Sequence, residues 1–262
     1  MALDEQARRQ AARILADAEA HRSPIQPLTE TFPGIDVASA YQIQLLQIEA
    51  KLARGEVVRG HKVGLSSRAM QQLIGVNEPD YGHLLASMFV HEAQAVKASE
   101  LCAPLAEMEI AFVLGRQLSG PHATIADVLA ATAYVCPAIE IVDSRVADWK
   151  IKIADTIADN ASSARVVLGG NRVSLDRLDL RTLGAVLRKN GEIVETGAGA
   201  AVLGHPATSV AWLANKVFEF GVVLEEGHVI LPGALTRAVR VAAGDVVRAD
   251  FDVLGPVSVT FT

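Results

Sequence analysis

The stretch LAEMEIAFVLG, Leu105 to Gly115, sets two glutamates two residues apart at the head of an otherwise apolar run. Residues spaced by two on a strand share a face, so Glu107 and Glu109 project together while Met108 turns the other way into packing. Ionised carboxylates on the inner face of a buried strand are costly unless something positive meets them. A third acid, Glu140, lies inside CPAIEIVD, a second strand-like apolar run. One such glutamate is most simply read as facing solvent or an arginine. Three acids on two buried-looking strands favour a carboxylate-lined cation site. An all-oxygen ligand set suits a hard ion, Mg2+ or Mn2+, better than zinc, and no His/Cys cluster has zinc-ligand spacing.

Around this stretch the chain reads as α+β. Residues Ala7, Ala11, Ile14, Leu15 and Ala18 recur at helical spacing, and RSPIQPLTETFPG then interrupts the pattern with three prolines. A second helix is signalled by Asp36 as cap, by the stripe Val37, Tyr41, Leu45, Ile48 and Leu52, and by Gly55 as stop. VVRGHKVGLS reads as a strand leading into a short helix, SSRAMQQLIG, with Ser66 as cap and Gly75 as stop. Beyond residue 105, strand-like runs alternate with turns. Asn190-Gly191 suits a two-residue type I′ hairpin between alternating strands. Two helices interrupt the strands: TIADVLAATAYV, where Thr124 and Asp127 form a capping box, and HPATSVAWLANKVFEFG, entered after Pro206 and closed by Gly221. The expected organisation is an N-terminal helical region, residues 1–60, followed by a β-rich catalytic domain, residues 61–262.

Composition excludes several classes of function. A formal net charge of −6 over 262 residues argues against nucleic-acid binding. No segment approaches the roughly 18 uninterrupted apolar residues of a membrane span. The N-terminal MALDEQARRQAARILADAEA lacks the apolar core of a signal peptide. The two cysteines, Cys102 and Cys136, read as buried thiols of a reducing compartment, so a cytoplasmic location is expected.

Further chemistry-bearing residues accompany the acids. Lys62, in GHKVGLS, is either a strand-end lysine snorkelling to solvent, the preferred reading on the residues alone, or an amine whose pKa desolvation lowers towards proton transfer. Asp80 lies in the turn-rich loop VNEPDYGHLL, with His83 three residues on; turn chemistry and a carboxylate over a pocket are both open there. Asp159, Asn160, Ser162 and Ser163 form a polar cluster able to bond an anionic ligand. GAGAAVLG is not a dinucleotide fingerprint, because its third glycine would fall at Val202, and no GxSxG elbow occurs. Nothing asks for an organic cofactor.

Taken together, GHKVGLSS, GVNEPDYGHLL, EMEIAFVLG, PAIEIVDSRVADWK, DTIADNASS and AAVLGHPATSVAWLAN resemble the 2-keto-4-pentenoate (2-hydroxypenta-2,4-dienoate) hydratases. These belong to the hydratase/decarboxylase group of the fumarylacetoacetate hydrolase superfamily, and the resemblance runs over nearly the whole chain. It implies a mixed β roll or barrel with flanking helices and an N-terminal helical region. It implies Mg2+ or Mn2+ held by Glu107, Glu109 and Glu140, with Lys62 and Asp80 as catalytic residues. Asn160 and Ser162 are weaker candidates for contacts to the substrate or around the metal. The implied reaction is hydration of 2-hydroxypenta-2,4-dienoate to 4-hydroxy-2-oxopentanoate in meta-cleavage catabolism of aromatic or steroid rings. The implied partners are a small anionic 2-hydroxydienoate or 2-oxo acid and further copies of the chain, as a pentamer or decamer. Asp80 and Lys62-Val63-Gly64-Leu65 favour a hydratase over the related 4-oxalocrotonate decarboxylases, whereas the C-terminal hairpin region resembles the decarboxylases. A superfamily carbon–carbon bond hydrolase is a further alternative; it needs a Glu-His pair, for which His83 is the nearby candidate.

Overall fold

The structure, a computed structural model, describes residues 3–68, 71, 72 and 75–262. Its elements run α1 (Glu5–His21), α2 (Leu28–Thr31), α3 (Val37–Leu52), β1 (Val58–Gly64), β2 (Asp80–Leu85), β3 (Phe89–Val90) and β4 (Leu105–Leu114). They continue with α4 (Ile125–Ala131), β5 (Thr132–Val142), α5 (Ile153–Ala158), β6 (Ser163–Leu168), β7 (Gly184–Lys189) and β8 (Glu192–Ala198). The last are α6 (Pro206–Phe218), β9 (Val229–Leu231), β10 (Val239–Arg240), β11 (Val246–Phe251) and β12 (Gly255–Thr260).

The larger, mixed sheet runs in the order β2-β1-β9-β4-β5-β6-β3, with β10 also pairing with β4. The smaller sheet, β12-β11-β7-β8, is antiparallel throughout. The two sheets and the flanking helices share one apolar core. In it Ala11, Leu15, Leu28, Tyr41 and Ile43 from the N-terminal helices meet Tyr81 of β2 and Ile157 of α5. Burying these side chains is the main force holding the helices to the sheet, worth roughly 1.5–3 kcal/mol for each large one.

Local signals account for most boundaries. Asp36 accepts a hydrogen bond from the Ser39 N–H at the start of α3, and Thr124 and Asp127 form the reciprocal capping box of α4. Asn190 and Gly191 both have positive φ, 53° and 88°, as a type I′ turn between β7 and β8 requires. Three segments depart from the sequence reading. The proline-rich stretch holds α2, entered at Pro27, because Leu28 gains a fully buried position there. The helix expected to run to Val135 ends at Ala131, since Thr132–Val135 is drawn into the ladder opposite Leu114–Phe112. Thr132 and Val135, both β-branched, suit that pleated surface. Asp80, expected in a loop, opens a fully buried strand and pairs with Gly64. Of the short helix expected over 66–75, residues 69, 70, 73 and 74 lie outside the described residues; Arg68, Gln71 and Gln72 are helical. Among the described residues no helix is long and apolar enough to cross a membrane.

Candidate active site

Strand β4 pairs antiparallel with β5 along its length, and the register sets Glu107 directly opposite Glu140. Residues opposite one another in a ladder share a face, and so do residues two apart, so Glu107, Glu109 and Glu140 converge on one side of the sheet. One carboxylate oxygen from each lies within 4.8 Å of the others. Met108 turns the opposite way and is fully buried in the core. Glu109 and Glu140 are inaccessible to solvent. Glu109 Oε2 accepts from the Gly233 N–H at 2.7 Å, while Glu109 Oε1 and both Glu140 oxygens accept no hydrogen bond.

Three carboxylates this close, with unpartnered buried oxygens, strongly disfavour their own ionisation. Burial, the most powerful cause, pushes Glu107 up to about 7, Lys62 opposes that, and the charges of Glu140 and Asp80 add to it. Burial and the neighbouring carboxylates raise Glu109 as well, and burial raises Glu140 against the pull of Lys62. Such a donor set, all oxygen and short of positive partners, fits a hard divalent cation.

Lys62 reaches the same space from β1. The register Lys62↔Gly82 and Gly64↔Asp80 puts Lys62 and Asp80 on one face of the β1–β2 ladder. Lys62 is 3% exposed, its Nζ lies 3.4 Å from Glu140 Oε2, and it donates to the Ala161 carbonyl at 3.1 Å. The carboxylates around this lysine oppose the alternative in which desolvation lowers it. Burial does act downwards, but Glu140, Glu107, Asp80 and Glu109 outweigh it and hold the ammonium above the ordinary lysine range. The snorkelling alternative is equally excluded by its burial.

Asp80 Oδ2 accepts from the Thr156 hydroxyl at 2.8 Å, and Asp80 Oδ1 is buried without a partner. Burial raises the Asp80 carboxyl against the opposing effects of Lys62 and Thr156. Gly64 makes this proximity feasible: a Cβ there would collide with Asp80 Oδ1 and lie 3.6 Å from Lys62 Nζ.

Asn160 and Ser162 flank the site in a different manner. Residues Asn160, Ala161 and Ser162 all have positive φ (53°, 48° and 55°), a conformation that costs non-glycine residues roughly 1–2 kcal/mol each. Several bonds hold it. Asn160 Oδ1 accepts from the His83 N–H at 2.7 Å and its Nδ2 donates to the His83 carbonyl at 2.9 Å, while the Ser162 carbonyl accepts from the Asp143 N–H. The Ser162 hydroxyl donates to Asp159, the partner of buried Arg145. These two side chains therefore shape the turn that offers the Ala161 carbonyl to Lys62. Asn160→Ala strands two buried backbone groups of β2, each worth about 1–3 kcal/mol, and is expected to lower the denaturant midpoint with an unchanged m-value.

His83 lies on the other face of the ladder, opposite His61, with Nδ1 3.1 Å from Gln44 Oε1. Burial pushes its imidazole down to about 4. It cannot form a Glu-His pair with the acids, which removes the candidate for the hydrolase alternative. The residues absent from the sequence reading are Thr156, the Gly233 N–H and the Ala161 carbonyl. Thr156 stands four residues before Asn160 in the quoted DTIADN, but only the packing of α5 on β2 shows its aim. The other two are backbone groups, which no side-chain pattern announces.

Comparison with known proteins places this geometry. Residues 60–262 match the family model described as fumarylacetoacetate (FAA) hydrolase C-terminal. A 2-keto-4-pentenoate hydratase of Paraburkholderia xenovorans (strain LB400) is 45% identical over 256 residues, covering 98% of this chain and 95% of the relative. A 2-oxo-hept-4-ene-1,7-dioate hydratase of Escherichia coli is 42% identical over 256 residues, 95% of this chain and 96% of the relative. A solved 4-oxalocrotonate decarboxylase from Pseudomonas putida G7, complexed with magnesium and adipate, superposes with a TM-score of 0.96 at 42% identity, covering 99% of each chain. With these matches spanning sheet, helices and acid cluster alike, the chain belongs to the fumarylacetoacetate hydrolase family, in its hydratase and decarboxylase group.

Proposed function

We propose that the chain is a metal-dependent hydro-lyase that adds water to 2-hydroxypenta-2,4-dienoate, giving 4-hydroxy-2-oxopentanoate, in ring-cleavage catabolism. The observation that carries this reading is the buried Lys62–Asp80 pair beside three convergent carboxylates. Similarity to named hydratases over nearly the full length supports it. Glu107, Glu109 and Glu140 would hold Mg2+ or Mn2+, which supplies a Lewis acid for the negative charge developing on the substrate's C2 oxygen.

The chain's own residues account for the proton movements. Ketonisation moves a proton from the 2-hydroxyl to C5, and Lys62, held protonated by its carboxylate neighbours, delivers one to C5 and is recharged from the hydroxyl. The 2-oxo-3-enoate is then electrophilic at C4. Asp80 Oδ1, with no hydrogen-bond partner, takes a proton from the water as its oxygen bonds to C4 and the C3=C4 electrons pass to the C2 oxygen; the enolate then takes that proton from Asp80 at C3, which restores the carboxylate and the 2-oxo group. Asn160 and Ser162 contribute by holding the turn around Ala161, and the small anionic substrate is the site's only proposed organic ligand. In this reading residues 1–60 are a helical region bracing a catalytic domain of 61–262, and the enzyme works in the cytoplasm as a homo-oligomer. A decarboxylase needs no water-activating base, so the placement of Asp80 favours hydration.

The test is a continuous ultraviolet assay with enzymatically generated 2-hydroxypentadienoate, with Mg2+ and with chelator, alongside 4-oxalocrotonate. Chelator-sensitive hydration is expected; turnover indifferent to chelator, or turnover of 4-oxalocrotonate alone, overturns the proposal. In the same assay Asp80→Asn is expected to lose about 10²–10⁴-fold of hydration while ketonisation, seen as loss of the dienol absorbance, persists.

A further inference from the structure

The oxygen that Asp80 offers to the reaction is selected by its neighbours, not by Asp80. A carboxylate on a strand end has two equivalent oxygens and a broad terminal torsion, so nothing in Asp80 alone decides which one faces the substrate. Thr156 breaks that equivalence. Its hydroxyl donates to Oδ2 at 2.8 Å and leaves Oδ1, buried and unpartnered, on the side of Gly64 and Lys62 Nζ.

The position of the hydroxyl is itself locked. Gln44 of α3 donates through one amide nitrogen to two carbonyls at 2.8 Å each: that of Tyr81, the residue after Asp80, and that of Ile157, the residue after Thr156. This one buried side chain therefore staples β2 to α5 next to both members of the pair. From the other end of α5, Asp155 accepts from the Thr29 N–H and hydroxyl, each at 2.9 Å. The N-terminal helices thus frame the pair from two sides, at Thr29 and at Gln44. A hydrogen bond to an ionised group in such a dry setting is strong and directional.

We propose that Thr156 is a positioning residue for Asp80: its hydroxyl occupies Oδ2 so that Oδ1 alone is presented to the attacking water. The inference rests on the reading of Asp80 as the proton acceptor in hydration. Loss of the hydroxyl frees the carboxylate to rotate and removes one charge-assisted bond, without touching the groups that bind substrate or metal.

Three variants, Thr156→Val, Thr156→Ser and Asp80→Asn, are compared with the wild-type enzyme for kcat and KM on 2-hydroxypentadienoate and for Mn2+ affinity by calorimetry. Thr156→Val keeps shape and removes the donor, and is expected to lower kcat by about 10–100-fold, with KM and the Mn2+ Kd within about threefold. Thr156→Ser restores the donor and is expected to recover most of that loss, which a purely packing role would not do. Thr156→Ala replaces the valine variant if circular dichroism shows the latter unfolded. Wild-type kcat in the donorless variant, or equal losses in the valine and serine variants, overturns the positioning role while leaving the Asp80 reading intact. Undiminished hydration by Asp80→Asn overturns the Asp80 reading instead, and the inference with it.

Discussion

Replacing Glu109 by glutamine is expected to lower kcat by about 10³-fold and, in chelator-treated protein at pH 8, to raise the melting temperature. The two effects have one cause. Glu109 is fully buried, and burial together with the charges of Glu140 and Glu107 holds its carboxyl well above the ordinary range. A carboxyl raised in the folded state keeps its proton after the unfolded chain has lost it. Above the unfolded value near 4.5 the native state therefore binds more protons than the unfolded one, and stability falls as pH rises. Glutamine can keep the acceptor towards the Gly233 N–H while removing the charge. Each kcal/mol of repulsion relieved corresponds to about 2–4 °C for a chain of this size. At pH 4.5 the wild type and the variant should melt together. With Mg2+ present the order should reverse, because the wild type gains the binding energy of the ion and the variant loses a ligand. Calorimetry at the two pH values, with chelator and with Mg2+, gives all four numbers. A variant that binds Mg2+ and turns over like the wild type would remove Glu109 from the metal site.

Lys62→Met is expected to cost about 10²–10⁴-fold in kcat through a different physical route. Methionine approximates the length of the lysine stem, so packing around β1 survives. What disappears is the ammonium lying 3.4 Å from Glu140 and bonded to the Ala161 carbonyl. Removing a cation from beside the acid cluster leaves it more negative, so divalent-ion binding should not weaken, in contrast to Glu109→Gln. The chelator-treated variant should be the least stable protein of the set above pH 7, because Lys62 offsets the raised carboxylates. Breaking one side of a buried charge arrangement typically costs about 3–5 kcal/mol. Titration calorimetry with Mn2+ followed by the ultraviolet assay separates the outcomes. Loss of metal affinity in Lys62→Met, or retained turnover, would contradict the shuttle assigned to this residue.

Much of this site is legible in the order of residues because it lies on strands. The period of two brings Glu107 and Glu109 to one face and sends Met108 to the other, and the register with β5 then adds Glu140 opposite Glu107. The capping box at Thr124, the cap at Asp36 and the turn at Asn190-Gly191 are likewise local chemistry. Where local preference met tertiary demand, the reading missed. Thr132–Val135 continues a helical pattern in sequence but is claimed by the ladder with β4, and Asp80 follows a turn-rich stretch but is claimed by Gly64.

The sequence by itself determined the α+β class and the family, and put forward the acids, the lysine and the aspartate as candidate site residues. The class follows from periodicity and short-range turn chemistry, and the family, with Lys62 and Asp80 as site residues, from the resemblance carried by motifs along the chain. Only the tertiary structure brings these residues together and sets their electrostatic surroundings. Lys62 is held charged instead of being lowered, because four carboxylates from three other strands surround it. The Asn160 amide closes on the His83 backbone, because a strained turn needed fastening to β2. Thr156 is drawn onto Asp80 by a glutamine from the N-terminal helices. Charge state and hydrogen-bond assignment depend on distances in space between residues far apart in the chain, and only the folded packing sets those distances.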